Sequence, residues 1–161
     1  MGWTLKANDS ELIDDIKTLE GNIAYQSKLG YYKNGKFWVY KDSLNYNTIG
    51  YGHLVLASEN FSAGLTEAQA DALLAKDLQS KVNDASAIYS QFKMTGDRRL
   101  QMVLTQMVFQ MGKAKVLQFE NTLKYMAAGN YKAAANGIRN SLWYRQTTSR
   151  AEKMARILES I

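Results

Sequence analysis

Two carboxyl groups and one hydroxyl group in the first third of the chain are of the types that can hydrolyse a glycosidic bond. They belong to Glu20, Asp42 and Thr48. In that reaction one carboxylic acid protonates the leaving oxygen, while a second carboxylate activates water or stabilises a positively charged sugar ring. We expect Glu20 to be the acid and Asp42 the second carboxylate, with the Thr48 hydroxyl orienting water beside it. Spacing alone is a weak signal, because many proteins contain these residue types within such a range.

Glu20 is predicted to be the last residue of a short helix. Asp9 or Ser10 can cap this helix at its start. The apolar positions that follow at helical spacing are Leu12, Ile13, Ile16 and Leu19. Gly21 is suited to end the helix. The Glu20 carboxyl would then lie at the negative end of the helix dipole, where the neutral acid is favoured over the carboxylate. The alternative is a solvated glutamate at an ordinary helix end.

Residues 25–57 have the composition of short strands and turns. The pair Asn34-Gly35, flanked by aromatic residues and lysines, is a strong signal for a hairpin within a strand pattern over residues 25–40. A third strand over residues 46–51 would complete a small antiparallel sheet, which residues 54–57 can extend. Two structural alternatives remain open here. Asp42 can hold an Asx-turn, and Thr48 can make a cross-strand contact.

The remainder of the chain is predicted to be helical. Thr66 can cap a long helix that ends before Phe92, and Asp97 can cap a second helix that ends at Gly112. The second helix is apolar on nearly every side, so we expect it to be the buried central helix. Further helices are predicted over residues 116–128, 131–138 and 148–158, with a turn near residues 143–144. The fold class is therefore α+β, in one domain whose lobes cover about residues 20–65, which are β-rich, and residues 1–19 with 66–161, which are helical.

The composition restricts the class of protein but does not select a partner. The chain of 161 residues has no cysteine and one histidine, so a structural zinc site is not expected. Residues 1–92 contain 8 Lys and Arg against 11 Asp and Glu, whereas residues 93–161 contain 12 against 4. A basic half is typical of proteins that meet nucleic acid, a membrane surface or an anionic cell-wall polymer. Because most basic faces are simply solvated, charge leaves that choice open.

Three runs of sequence resemble the phage-type lysozymes, the T-even phage lysozyme family (glycoside hydrolase family 24). The first joins Tyr-Lys-Asp at 40–42 to Tyr-Asn-Thr-Ile-Gly-Tyr-Gly-His-Leu at 46–54. The second is Met-Val-Phe-Gln-Met-Gly at 107–112, and the third is Ser-Leu-Trp-Tyr-Arg-Gln-Thr at 141–147. They occur in the family's order, and the resemblance runs from about residue 8 to the C-terminus. It implies a lysozyme-like fold with an active-site cleft between the two lobes.

The resemblance also implies roles for individual residues. Glu20, Asp42 and Thr48 match the family's general acid, second carboxylate and neighbouring threonine. The positions that match contacts to the sugar chain are Leu54, Phe109, Thr122 and Asn136. The supporting positions are His53, which is expected to pair with Asp77, and Arg150, which is expected to reach toward Glu20. Such an arginine would favour the charged form of the acid, against the helix dipole, and the balance between the two stays open.

Several positions depart from the family pattern. Glu20 and Asp42 are separated by 21 residues, a longer interval than is usual in the family, and the added length falls around the Asn34-Gly35 hairpin. Because loop-closure cost grows slowly with length, an added hairpin can leave both carboxyl groups in place. Thr122 stands where a serine is usual, and Asn136 matches only after a shift of one residue. Thr147-Thr148-Ser149 replaces the proline expected before the last helix, where hydroxyl capping can take over.

The resemblance implies a muramidase, an endolysin that cuts the β-1,4 bond between N-acetylmuramic acid and N-acetylglucosamine in bacterial peptidoglycan. No metal or cofactor is implied, and we expect a monomer that binds no nucleic acid and does not insert stably into membranes. The N-terminal sequence does not resemble a signal peptide. We therefore expect the protein in the host bacterial cytoplasm until release. Two alternatives stay open, namely a lytic transglycosylase acting on the same bond and a non-catalytic basic module that binds envelope or nucleic acid.

Overall fold

The computed structural model describes residues 2–161, and within them the backbone forms an α+β fold, as predicted. The helices are α1 Ser10–Glu20, α2 Ile23–Leu29, α3 Glu67–Gln91, α4 Arg98–Met111, α5 Lys113–Leu117, α6 Glu120–Ala127, α7 Tyr131–Arg139, α8 Leu142–Gln146 and α9 Thr148–Glu159. The strands are β1 Tyr32–Lys33, β2 Lys36–Phe37, β3 Tyr40–Lys41, β4 Asn47–Ile49 and β5 His53–Leu54. No helix in this range is long and apolar enough to cross a membrane.

The backbone divides into two compact units. One comprises Ala7–Leu78, and the other comprises the chain up to Lys6 together with Gln79–Ile161. The sheet-containing unit therefore takes in α1 and the first half of α3, in addition to the whole region predicted as the β-rich lobe. Every residue of the first run of family resemblance lies in this unit, which we call the sheet unit. The other is the helical unit.

Helix α1 has the predicted start and end. The Asp9 carboxylate accepts the backbone N–H of Leu12 at 3.1 Å, which caps the helix, and Gly21 follows its last residue. Leu12 and Ile16 are completely buried on one face. On the other side Lys17 forms a salt bridge of 2.8 Å with Asp71 of α3. The helix that ends in Glu20 is thus fixed by burial and by its cap.

Helix α2 corrects the predicted strand pattern over residues 25–40. The Asn22 side chain accepts the backbone N–H of Tyr25 at 2.8 Å, and Gly30 ends the helix with a φ of 81°. These are good start and stop signals for a helix. They outweigh the strand preference of an aromatic residue in the first turn, because a cap satisfies backbone donors that strand propensity does not.

The strands form two small antiparallel sheets where one was predicted. The Asn34-Gly35 hairpin is confirmed, with β1 and β2 on either side. The predicted third strand is shorter, as β4, and its predicted extension is the separate strand β5. Strands β3, β4 and β5 form a sheet in that order, in which Tyr40 is opposite Thr48. Phe37 of β2 is completely buried, and its backbone exchanges hydrogen bonds with Leu65.

The helical unit has α4 at its centre, as predicted. Every residue from Leu100 to Val108 is buried. Asp97 caps this helix, and Gly112 follows its end. Two details differ from the prediction. The helix expected over residues 116–128 is broken into α5 and α6 around Gln118 and Phe119. The turn expected near residue 143 is the short helix α8, because the Ser141 hydroxyl caps it by accepting the N–H of Tyr144 at 3.1 Å.

The buried face of α4 predicts a large difference between two leucine truncations. Leu104→Ala removes a side chain with no exposed surface and should lower the free energy of unfolding by about 2–5 kcal/mol. Leu142→Ala, at a side chain that is 59% exposed, should change it by about 0.5 kcal/mol or less. Urea unfolding followed by circular dichroism measures both. Equal losses would contradict the placement of α4 in the core.

Candidate active site

The Glu20 side chain is packed directly against the turn between β4 and β5. A methyl group built on the Cα of Gly52 would lie 2.6 Å from both Cδ and Oε2 of Glu20. Gly52 also has a φ of 82°, in the left-handed region that favours glycine. No residue with a side chain can therefore occupy position 52 without moving the Glu20 carboxyl group. The turn backbone sets where this acid lies.

The Asp42 carboxylate organises the turn between β3 and β4. Its Oδ1 accepts the backbone N–H groups of Leu44 at 2.9 Å and of Tyr46 at 2.8 Å. The backbone N–H of Asp42 in turn donates to the carbonyl oxygen of Tyr46 at 2.9 Å. The Asx-turn interpretation is therefore confirmed. It does not exclude a chemical role, because within residues 2–161 no side-chain or backbone donor engages the other oxygen, Oδ2.

Thr48 lies on β4 and is 5% exposed. Its hydroxyl donates to the carbonyl oxygen of Tyr46 at 3.0 Å. A hydroxyl has one hydrogen to donate and two lone pairs that accept. With that hydrogen already engaged, the Thr48 oxygen can interact with a water molecule only as an acceptor. Asp42 and Thr48 thus contact the same residue of the turn and both present acceptor atoms.

Tyr40 lies on β3, two residues before Asp42. Burial raises the pKa of its hydroxyl far above the ordinary value, and the negative charges of Glu20 and Asp42 raise it further. Its ring stacks on that of Tyr31, with centroids 4.3 Å apart and planes 7° apart. The Tyr40 hydroxyl remains a neutral hydrogen-bonding group across the physiological range of pH.

His53 lies between two carboxylates. Its Nδ1 is 2.8 Å from Oδ2 of Asp77, so the predicted contact is present. Its Nε2 is 2.9 Å from Oε1 of Glu59, a partner that was not predicted. Glu59 also accepts the backbone N–H of Leu56 at 2.8 Å. The ring therefore joins β5, the loop after it and α3. His53 begins β5 and directly follows Gly52.

The two carboxylates favour the charged imidazolium. Burial lowers the pKa of His53, but the hydrogen bonds to Glu59 and Asp77 outweigh burial, so the pKa lies above its ordinary value of 6.5. The pKa of Glu59 lies below its ordinary value of 4.5, because of the hydrogen bond from the Leu56 backbone and then that from His53. Within residues 2–161 no group of three or more acidic or histidine side chains is arranged to hold a metal ion.

The other predicted site residues are dispersed along the chain. Leu54 is on β5 and exposed. Four lie in the helical unit, and their elements are α4 for Phe109, α6 for Thr122, α7 for Asn136 and α9 for Arg150. Thr122 is buried, and a methyl group built on Gly137 of α7 would collide with its hydroxyl, so it packs where α6 and α7 meet. The roles of all five, in sugar binding and in contact with Glu20, stay predictions.

Four residues that the structure brings to this region were not predicted. Tyr40 and Gly52 stand inside the first run of family resemblance, so position alone could have drawn attention to them. Glu59 and Gln26 could not have been found in this way, because their roles depend on contacts with residues 6 and 24 positions away along the chain. The side-chain amide of Gln26 donates to the carbonyl oxygens of Gly21 and Gly50.

Comparison with known proteins identifies the family. The sequence profile of the phage lysozyme family matches residues 33–156, which is more than half of the chain. The chain belongs to the phage lysozyme family. It is thus a lysozyme-type hydrolase, and its matched range contains Asp42, Thr48, His53 and Asp77 but begins after Glu20. The assignment of Glu20 depends on its position beside Gly52.

The chain is similar to relatives of very different overall length. "Probable T4-type lysozyme 1" of Dictyostelium discoideum is 28% identical over 155 aligned residues, which include 82% of this chain and 91% of that protein. "Peptidoglycan hydrolase gp36" of Pseudomonas phage phiKMV is 32% identical over 149, with 86% of this chain but 16% of that protein. "Pre-baseplate central spike protein Gp5" of Enterobacteria phage T4 is 30% identical over 143 aligned residues, which include 74% of this chain but 25% of that protein. The chain therefore spans only a small part of the two phage proteins.

Replacement of Gly52 tests the packing of the acid. Gly52→Ala should lower lysozyme activity by about 10- to 100-fold, because its methyl group displaces the Glu20 carboxyl group. Gly30→Ala is a matched control, since Gly30 has a φ of 81° and an added methyl group there meets nothing within 4 Å. Both variants should lose about 1–2 kcal/mol of stability from backbone strain. An equal loss of activity in both would refute a specific contact between position 52 and Glu20.

The ion pairs of His53 predict a pH-dependent contribution to stability. Because the folded pKa of His53 is raised, its contribution is complete below pH 6.5 and is lost as pH rises through the folded value. Because the folded pKa of Glu59 is depressed, its contribution is present above pH 4.5 and is lost as pH falls through the folded value. The stability advantage of the parent over His53→Gln should therefore be greatest between about pH 4.5 and 6.5.

Urea unfolding of the parent and of His53→Gln at pH 5.5 and pH 9 measures this advantage. Glu59→Gln serves as the second variant, since it removes one of the two carboxylates and should reduce the difference between the two pH values. An advantage that is the same at both pH values would show that the ring does not gain a proton on folding.

Proposed function

We propose that the protein is a muramidase that hydrolyses the β-1,4 bond between N-acetylmuramic acid and N-acetylglucosamine in bacterial peptidoglycan. The observation that carries the proposal is the packing of the Glu20 carboxyl group against Gly52, at one end of strand β4, whose other end follows the turn that Asp42 orders. Two carboxyl groups in one compact unit, on a chain of the phage lysozyme family, are the minimum that such a hydrolysis requires. A relative named as a peptidoglycan hydrolase supports the choice of polymer.

Glu20 is the proton donor in this proposal. Its side chain packs against the backbone at Gly52, where a methyl group would displace the carboxyl group. The carboxylic acid transfers its proton to the glycosidic oxygen while the bond from that oxygen to the anomeric carbon breaks. The leaving sugar thereby departs as a neutral alcohol, which lowers the barrier for an otherwise poor leaving group.

Asp42 and Thr48 hold the attacking water in this proposal. Oδ2 of Asp42 and the Thr48 oxygen are both acceptors, so a water between them donates both of its hydrogens. Its lone pairs then point away from the turn, toward the anomeric carbon. As the water oxygen forms its bond to that carbon, its proton passes to Asp42. Direct attack by water with no covalent enzyme intermediate leads to inversion at the anomeric carbon.

The basic half of the chain suits an anionic wall polymer. Residues 93–161 contain 12 Lys and Arg against 4 Asp and Glu, and attraction between this half and the wall should weaken as salt screens it. We propose further that the protein acts as a monomer on the wall, after release from the cytoplasm of a host bacterium.

Removal of each carboxyl group tests the proposal. Glu20→Gln and Asp42→Asn should each lower lysis of purified cell walls by about 100-fold or more, because the first variant cannot donate the proton and the second cannot accept one. Asp14→Asn, which removes an exposed carboxylate from the same helix as Glu20, should lyse walls like the parent. Circular dichroism confirms that each variant is folded. Folded Glu20→Gln and Asp42→Asn variants with the parent's activity would refute the proposal.

The products of the parent enzyme separate hydrolysis from a lytic transglycosylase. Hydrolysis leaves a reducing N-acetylmuramic acid end, with inverted configuration if water attacks directly. A transglycosylase needs one acid and no water, and leaves an anhydro end. The residues that could hold water, Asp42 and Thr48, favour hydrolysis. Mass spectrometry of digested wall fragments should show reducing ends, and anhydro ends would establish the other reaction.

A further inference from the structure

We propose that Gln26 is a positioning residue for Glu20. The inference rests on the proposed function, in which Glu20 is the acid. Gln26 lies on α2 and is 1% exposed. Its single side-chain nitrogen donates to the carbonyl oxygen of Gly21 at 2.7 Å and to that of Gly50 at 2.9 Å. One amide group thus joins the end of the helix that carries the acid to the turn on which the acid rests.

The two accepting carbonyl groups belong to the two segments that hold Glu20, the end of α1 and the turn after β4. Gly21 directly follows Glu20, so its carbonyl group moves together with the end of α1. Gly50 begins the turn that continues to Gly52, and the Cα of Gly52 is in contact with the Glu20 carboxyl group. Any change in the distance between these two segments would move the acid relative to its support. Gln26 fixes that distance with two hydrogen bonds.

The anchor itself is held firmly in α2. The backbone N–H of Gln26 donates to the carbonyl oxygen of Asn22 at 2.9 Å, and its own carbonyl oxygen accepts the N–H of Tyr31 at 2.9 Å. A side chain that starts from a fixed backbone and is fully enclosed has few other conformations. The brace is therefore rigid, as positioning to a fraction of an ångström requires.

The orientation of the amide group follows from its partners. The opposite orientation would place the side-chain oxygen against two carbonyl oxygens, which repel it, so the nitrogen must face Gly21 and Gly50. The side-chain oxygen then has no hydrogen-bond donor among residues 2–161. A buried acceptor without a donor lowers stability. A buried glutamine with such a cost is the pattern expected where geometry at a functional site takes precedence over stability.

Gln26 also gives a role to the stretch of chain between the two carboxyl groups. Helix α2 with its Gln26 lies between Glu20 and Asp42 in the sequence. This stretch contributes a direct brace between the helix end and the turn.

The test compares two buried glutamines of the same chain. Gln26→Met keeps the approximate shape of the side chain but removes both donors. Gln101→Met is the matched control, because Gln101 is equally buried and its amide likewise bonds backbone groups, those of Gly2, Thr4, Leu5 and Gly96 in the helical unit. Both variants should lose stability. Steady-state kinetics on soluble, uncross-linked peptidoglycan fragments are measured where urea curves show each variant folded.

The inference predicts a change in kcat that only the first variant shows. For Gln26→Met, kcat should fall at least tenfold with KM within twofold of the parent, because the acid is displaced while sugar contacts elsewhere persist. The high-pH limb of its pH–rate profile, on which activity falls as the acid loses its proton, should also shift. Gln101→Met should keep the parent's kcat, KM and pH profile. If Gln26→Met does not fold, Gln26→Asn, with an amide one methylene shorter, should show the same selective fall in kcat.

Other outcomes separate this inference from the proposed function. If Glu20→Gln is inactive but Gln26→Met, or the Asn variant in its place, retains the parent's kcat and pH profile, Gln26 is only structural and the inference is wrong. An equal fall in kcat for the Gln101 control would have the same meaning. If Glu20→Gln itself retains full activity, the proposed function is wrong, whatever the Gln26 variants do.

Discussion

The close approach of the Glu20 carboxyl group to the backbone at Gly52 is the constraint on which the rest of this site depends. A carboxyl group that ends a helix has several rotamers, and an acid catalyst needs one of them. Contact with a turn that has no side chain at position 52 restricts that choice. The cap of α1, the salt bridge from Lys17 to Asp71 and the amide of Gln26 all fix the two sides of this contact.

Backbone hydrogen bonds, rather than flexible side-chain pairs, position the second half of the site. One Asp42 oxygen is used entirely in ordering its own turn, and the Thr48 hydrogen is used in the same turn. What remains is one carboxylate oxygen and one hydroxyl oxygen, both acceptors with fixed directions. In the proposed mechanism, structural and chemical roles are thus divided between atoms of the same residue. Such division keeps the cost of moving groups during the reaction small, which is how preorganised sites work.

Local signals in the sequence predicted much of this architecture, and contacts distant along the chain did not. Asp9 with Gly21 and Asp97 with Gly112 frame helices α1 and α4, because caps and helix ends are decided by neighbouring residues. The short helix α2 was missed, since seven residues carry little periodicity and Tyr25 favours a strand. Glu59 and Gln26 could not be predicted in their roles, because each acts on groups that only the tertiary fold brings near.

A crystal structure of Glu20→Gln with a bound peptidoglycan fragment tests the central claim most directly. The account predicts that the side chain at position 20 lies within about 3.2 Å of the glycosidic oxygen. It also predicts a water on the opposite face of the same sugar ring, donating to Oδ2 of Asp42 and to the oxygen of Thr48. An ordered glycan whose scissile bond is out of reach of position 20, or with position 42 on the same face of the ring, would contradict it.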